Sequence, residues 1–292
     1  MSERPLLDKQ SVRRSFDRAA ITYDAAAVLQ HEVAERGLER LDLIRHQPAC
    51  ILDAGCGTGN ALRGLSQRYR RSRIVALDLA PAMLRQAHSK FNWWQHLLGR
   101  SAQSVCGDLE SLPLASASMD LIWSNLALQW VNRLPQAFNE MRRVLAPGGL
   151  LMLTTLGPDT LKELRAAQHA VDDHSHMSGF VDMHDVGDLL VDAGFADPVV
   201  DMEVFTLTYP DVMSLMRDLK AIGAHNAASD RPPGLSGKDW LAATIAAYEA
   251  ARVNGLLPAT YEVIYAHAWA PLPRVGPKGR PIIPIAPMGK QS

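Results

Sequence analysis

At 292 residues the chain can form one large domain or two modest ones, and 47% hydrophobic content beside 21% charged residues lets it bury a sizeable core. A formal net charge of −1 removes any global field steering it to nucleic acid or a membrane surface. No apolar run approaches the about 20 residues of a bilayer-spanning helix, the opening Met1-Ser2-Glu3-Arg4-Pro5 has no secretory apolar stretch, and Cys50, Cys56 and Cys106 do not suit a disulfide framework, so a cytoplasmic protein is expected.

Residues 8–45 read as helical. Val12, Phe16, Ala19 and Ala20 recur at helical intervals, and Val28, Leu29, Val33, Leu38, Leu41 and Ile44 do so over 25–44, with a break at 20–24 between the two runs. Cys50-Ile51-Leu52 is a short apolar run of buried-strand type, and it leads into Asp53-Ala54-Gly55-Cys56-Gly57-Thr58-Gly59. Gly55 and Gly57 let the backbone turn tightly, so main-chain N–H groups can approach a ligand. Helical spacing follows over 61–66. A dinucleotide site favours G-x-G-x-x-G, whose helix N-terminus receives a pyrophosphate. Here an acid stands two residues before the first glycine, and its charge repels a pyrophosphate but attracts an ammonium group.

The spacing predicts a second strand over 73–78, ending in Asp78. A carboxylate there can accept hydrogen bonds from both ribose hydroxyls of a nucleoside, and it also suits the N-cap of a helix entered through Leu79-Ala80-Pro81. Asp78 and Leu79 are assigned to a cofactor. The helix carries Met83, Leu84 and Ala87, and Phe91, Trp93 and Trp94 after it are expected to pack against the core. A third strand over 104–106 leads into Gly107-Asp108-Leu109-Glu110-Ser111-Leu112-Pro113. Asp108 can accept from an adenine amine while the Leu109 N–H donates to a ring nitrogen. After a fourth strand over 119–124 comes Asn125-Leu126-Ala127-Leu128-Gln129-Trp130. Asn125 is the candidate cofactor-side contact there, with Gln129 and Trp130 facing an acceptor. A helix over 134–145 stops at Pro147-Gly148-Gly149, and a strand over 150–155 follows.

Strand and helix alternate to this point, which predicts a mostly parallel sheet with helices on both faces, an α/β Rossmann-like fold. Beyond residue 155 the rhythm changes. Helices are expected over 156–170, 182–193, 211–222 and 237–251, with strands over 198–209 and 261–269 completing a seven-stranded sheet. The chain thus divides into an N-terminal helical arm (1–45), a main domain (46–270) and a proline-rich tail (271–292). Cap helices near 159–180 and 210–257 are expected over an acceptor site. The tail carries Arg274, Lys278, Arg280 and Lys290 without acids and is expected to be extended and mobile. His169, His174 and His176 match no metal-ligand spacing, so no metal is expected. No nucleophile elbow, internal repeat or basic-aromatic strip is present.

The string from Asp53 to Gly59, with the acids at 78 and 108, resembles the class I S-adenosylmethionine-dependent methyltransferases. More specific segments resemble the malonyl-acyl-carrier protein O-methyltransferases of biotin synthesis. These are Ser15-Phe16-Asp17-Arg18-Ala19-Ala20 with Tyr23-Asp24, the run Asn125 to Trp130, Thr154-Thr155-Leu156-Gly157-Pro158-Asp159-Thr160-Leu161 with Glu163-Leu164, and Leu219-Lys220 with Ile222-Gly223-Ala224. The resemblance implies methyl transfer from the co-substrate S-adenosyl-L-methionine to the free carboxylate of malonyl-acyl-carrier protein or malonyl-CoA, with the arm closing over the cofactor and Tyr23 touching ligand. That carboxylate has a reference pKa of about 4, so it is already ionised and needs no general base. Arg18, Arg142, Arg143, Lys162, Arg165 and Lys220 are the cations available to hold it, and Arg13, Arg14 and Arg18 form a basic strip for an acidic carrier protein. Residues 157–165 and 259–265 also resemble a respiratory complex I assembly factor of this fold, and a quinone-type small-molecule methyltransferase is a third reading.

Overall fold

Strand β1 (Cys50–Ala54) lies inside the sheet, and every residue after Cys50 is buried. It pairs in parallel with β2 (Arg73–Asp78) on one side and β4 (Met119–Asn125) on the other. Strand β3 (Gln103–Cys106) adds to β2, and β5 (Leu145–Leu156) adds to β4, again in parallel. Strand β7 (Leu257–Trp269) returns antiparallel along β5, and β6 (Ala196–Tyr209) pairs antiparallel with β7. The resulting seven-stranded order is β3-β2-β1-β4-β5-β7-β6. The computed structural model describes residues 6–90, 102–172, 179–224 and 237–273; Phe91, Trp93, Trp94, His174, His176 and the tail after 273 lie outside them.

Alternate residues of the central strands feed the two faces of the sheet. Leu52, Ile122 and Leu151 meet Phe138 and Met141 of helix α6 (Leu134–Val144) on one face. Ile51, Leu121 and Met152 meet Leu65 of α4 (Leu62–Arg68) and Leu84 of α5 (Pro81–Ser89) on the other. A third cluster gathers at the β6–β7 end. There Val33 of α3 (Val28–Arg40), Leu164 of α7 (Lys162–His169), Leu215 of α9 (Val212–Ala221) and Tyr248 of α10 (Lys238–Glu249) pack with Val263 of β7. Helix α8 (Met183–Asp192) starts at Asp182, whose carboxylate accepts the His184 N–H, and ends before Gly194 at φ +79°. The arm supplies α1 (Lys9–Ala19), the one-turn α2 (Tyr23–Ala26) and α3.

Several boundaries differ from expectation. Tyr23 and Asp24, read as part of a break, begin α2, and the helix expected over 25–44 is interrupted at Ala27, whose ψ is 41°. Strand β1 continues through Asp53, which lies opposite Ala76 and Trp123, so a carboxylate is carried into the sheet. Pro147-Gly148-Gly149 falls inside the span of β5: Leu145 pairs with Met119, the chain bulges, and pairing resumes at Leu150. Gly148 permits this at φ +78°, and its N–H donates to the Ala270 carbonyl at 2.8 Å. Helix α7 begins at Lys162, six residues late. Gly157 packs so tightly on Glu262 that an added Cβ would sit 2.5 Å from its Cδ, and Leu161 takes φ +54° to send its N–H to Thr260. Those backbone demands override the helical spacing. Among the described residues no helix is long and apolar enough to cross a membrane.

Candidate functional site

Strand order reverses between β1 and β4, and in such sheets the crevice beyond the carboxyl ends of the strands is where ligands bind. A cleft of about 640 Å³ opens there. Gly55, Gly57, Asp78, Leu79, Asp108, Leu109 and Asn125 all line it, so the tips of β1, β2, β3 and β4 converge as their spacing implied. Asp53 faces an adjoining cavity that shares Tyr23, Gly55, Gly57 and Asn125 with the cleft.

The glycine turn leaves the sheet because Gly55 takes φ +80° and sends its N–H to the Leu77 carbonyl at 2.8 Å. A Cβ at Gly55 would lie 2.4 Å from Ala127 Cβ, whereas one at Gly57 would meet nothing within 4 Å. The first glycine therefore brings β1 against the loop after β4, and the second leaves open backbone toward the cleft. Asp78 receives the Gly57 N–H at 2.9 Å and the Ala80 N–H at 2.8 Å, so it serves both the turn and the entry to α5. Asn125 accepts from the Thr154 hydroxyl at 2.8 Å and donates to the Gln30 carbonyl at 3.0 Å, which fixes its amide between the two cavities.

Electrostatics set this place apart. Asp53 is 2% exposed, and its Oδ2 has no hydrogen-bond partner. Burial, then the charge of Asp78, push the Asp53 carboxyl up to about 8. Burial also pushes Asp78 up to about 6, against the pull of the backbone N–H groups of Ala80 and Gly57. Tyr23 is raised by burial and by the neighbouring Asp78 and Asp24. Two desolvated carboxyls side by side lack a counter-charge, so a cationic ligand that stabilises their ionised forms is favoured over an anionic one.

The arm forms one wall. Val12, Phe16 and Tyr23 line the cleft, and Phe16 meets Trp130 edge-on with ring centroids 5.1 Å apart. Asp17 accepts the Ala82 N–H at 2.8 Å, tying α1 to the start of α5. Spacing did not single out Lys9, yet its Nζ lies 3.1 Å from Asp108 Oδ1 and 2.8 Å from Glu110 Oε1. Glu110 is 6% exposed, and although burial alone would raise it, the bonds from Lys9 and the Asn132 N–H hold its carboxyl below the usual range. A lysine ahead of the first apolar position, opposite an acidic turn 99 residues on, carries no local signal.

The acceptor-side assignments separate. Trp130 lines the cleft next to Phe16. Gln129 instead borders an apolar cavity of about 260 Å³ with Leu128, Phe138, Thr155, Phe180 and Val186. Its Nε2 donates to the Leu126 carbonyl at 2.6 Å, and its Oε1 is buried without a partner. None of the proposed cations lines either space. Arg143 is bound to Glu140 and to the carbonyls of Leu112 and Leu114, where it fastens the segment after β3. Arg142 reaches the Gly194 carbonyl, Arg165 holds the carbonyls of Pro158 and Thr160, and Lys162 pairs with Asp159. Lys220 and Arg18 are exposed. Distant carbonyls claim Arg142 and Arg143, whereas Lys162 and Arg165 are held by neighbours within seven residues.

Known proteins agree with this geometry. Residues 52–153 match the family described as Methyltransferase domain. Among solved structures, the YcgJ protein from Bacillus subtilis superposes with a TM-score of 0.57 at 17% identity, covering 82% of this chain and 99% of its own. The cyclase SpnF does so with a TM-score of 0.59 at 20% identity, covering 93% of this chain and 100% of its own. Such likeness speaks to the fold alone. Curated relatives are much closer in sequence: "Malonyl-[acyl-carrier protein] O-methyltransferase" of Methylovorus sp. (strain MP688) is 57% identical over 98% of both chains. That of Gallionella capsiferriformans (strain ES-2) is 55% identical over 95% of this chain and 96% of its own. With such identity along nearly its whole length, and a class I methyltransferase sheet whose strand-tip cleft favours a cation, the chain belongs to the malonyl-[acyl-carrier protein] O-methyltransferase family.

Proposed function

We propose that this protein transfers a methyl group from S-adenosyl-L-methionine to the free carboxylate of malonyl-acyl-carrier protein, giving the methyl ester that primes pimeloyl synthesis for biotin. The observation that carries the cofactor side is the buried Asp53 carboxyl with its unpartnered Oδ2, beside a glycine turn whose second glycine leaves its Cβ direction empty. Those features fit the cofactor's ammonium-bearing end. Asp78 and Leu79 would hold the ribose, Asp108 and the Leu109 N–H the adenine, and Gly55, Gly57 and Asn125 the segment between. When bound, the cofactor supplies a methyl group activated by a sulfonium.

The chain's own task is positioning. A malonyl carboxylate is ionised at neutral pH (reference value about 4), so no side chain has to remove a proton. Holding the two reactants in line contributes up to about 7–11 kcal/mol, which an ordered cleft can supply without acid–base machinery. Phe16, Tyr23 and Trp130 exclude water from the reacting centre. Arg13, Arg14 and Arg18 are exposed on α1 and offer an acidic carrier protein a basic landing strip next to the cleft.

Incubation with malonyl-acyl-carrier protein and methyl-labelled cofactor is expected to give base-labile label on the carrier, faster than on malonyl-CoA. Absence of label on both acceptors would remove the proposal.

A further inference from the structure

The apolar cavity beside the cleft contains a polar atom that the fold itself does not use. Gln129 Oε1 is buried without a partner, in a space of about 260 Å³ walled by Leu128, Leu134, Phe138, Phe180 and Val186. A native interior seldom leaves such a group unpaired, because it has lost its water without replacement. Chemistry fixes which end of the amide is left over. Nε2 donates to the Leu126 carbonyl at 2.6 Å, and a carbonyl can only accept, so the oxygen is the end left for the cavity. Leu126 is itself pinned, its N–H lying 3.0 Å from the Thr154 hydroxyl oxygen. Turning the amide over would orphan the Leu126 carbonyl in place of Oε1.

A carbonyl oxygen among hydrocarbon walls calls for a donor. Water serves poorly, since it needs two or more polar partners, and Thr155 is the one other lining residue with a polar side chain among the described residues. A malonyl carboxylate serves worse: it brings acceptors to an acceptor, with no lysine or arginine among the lining residues to offset its charge. A secondary amide N–H flanked by short methylene links meets both demands. Carrier protein and coenzyme A alike carry an acyl group on the thiol of a pantetheine arm, whose first amide N–H follows the sulfur by an ethylene link.

The position agrees. The single 3-10 turn Leu128–Trp130 divides the two spaces, with Trp130 lining the cleft and Leu128 and Gln129 lining the cavity. A malonyl thioester laid across this turn keeps its carboxylate on the cleft side while its amide enters the cavity.

Building on the proposed methylation of a malonyl thioester, we propose that this cavity is the subsite for the thiol end of the acceptor's pantetheine arm, and that Gln129 Oε1 accepts the first amide N–H. Gln129 thus reads the arm and not the carboxylate that reacts. Because both acceptors share that arm, preference for the carrier protein over coenzyme A arises outside the cavity.

Initial rates of methyl transfer to two small acceptors test this: malonyl N-acetylcysteamine thioester, and its counterpart with an ester oxygen in place of the amide N–H. Wild-type protein is expected to favour the amide about tenfold in kcat/KM, with the difference in KM, since the ester sets an acceptor against a buried acceptor. Gln129→Met and Gln129→Ala are each expected to bring the ratio close to one, because the amide loses its partner and the ester loses its repulsion. Two variants guard against one that fails to fold, and the wild-type comparison needs neither. Equal use of amide and ester by the wild-type protein overturns the subsite, as does a preference that survives in both variants. Either result leaves the reaction standing. Absence of transfer to these compounds and to malonyl-acyl-carrier protein overturns the reaction as well.

Discussion

The nucleoside cleft and the apolar cavity beside Gln129 sit on one sheet but are made of different things. Residues at the ends of four adjacent strands, with the arm as one wall, line the cleft, and burial pushes the Asp78 carboxyl there up to about 6. The cavity is lined by Leu128, Leu134, Phe138, Phe180, Val181 and Val186 from separate segments, with one amide oxygen unpaired. The first is specified by backbone geometry and fixed charge. The second is specified by side-chain volume, which many sequences can satisfy. A site made of backbone turns and fixed charges can therefore be written in a few contiguous residues, while a cavity shaped by side-chain volume is spread over the chain.

Four substitutions or conditions sharpen that contrast. Gly55→Ala is expected to have the largest effect, because the added Cβ meets Ala127 at 2.4 Å and the residue must hold φ +80°. The two penalties together come to about 2–5 kcal/mol of folding stability, measurable by urea denaturation. Wild-type stability would show that the turn relaxes freely. Next, Asp78→Ala is expected to weaken S-adenosylmethionine by at least about tenfold in calorimetry, the loss of hydrogen bonds to a charged acceptor. An unchanged affinity would mean that the ribose is held elsewhere.

Protonation comes third. Asp53 and Asp78 ionise near 8 and 6 in the free protein, against about 4 in the unfolded chain. The folded state therefore keeps protons that the unfolded state has released, and these two groups make stability fall as pH rises from about 4 to about 8. A cationic ligand favours the ionised carboxylates. Binding is expected to release protons at neutral pH, and affinity to climb toward pH 8. Titrations in buffers of different ionisation enthalpy would read the release directly, and Asp53→Asn should diminish it. The smallest effect is expected from Gln129→Ala: about a threefold rise in KM for the malonyl thioester with cofactor affinity unchanged, the loss of one neutral hydrogen bond. A parallel fall in cofactor affinity would place Gln129 with the cleft.

Legibility in the sequence follows the same divide. The alternation of strands and helices and the acids at 53, 78 and 108 are local signals, since a strand tip is marked by what comes just before and after it. Tyr23, which lines the cleft, was singled out by the resemblance of the arm to known methyltransferases and not by spacing. Lys9 was not, because its partners Asp108 and Glu110 are set by how the arm folds back across the sheet. His31 was hidden inside an ordinary amphipathic helix, and only the fold brings it to the cavity that Asp53 also lines. Arg143 misled for the opposite reason: a free-looking cation on a polar face is claimed by carbonyls about 30 residues upstream. The late start of α7 likewise depends on Glu262, which spacing near Gly157 cannot show.

The attachment of α1 carries a kinetic consequence. Asp17 at the head of α5, Lys9 on two carboxylates and Phe16 against Trp130 must all let go before anything the size of a nucleoside can leave past that wall. Release of the spent nucleoside along this route is expected to need that detachment, and a turnover rate that tracks the viscosity of the solution would show that it limits the cycle.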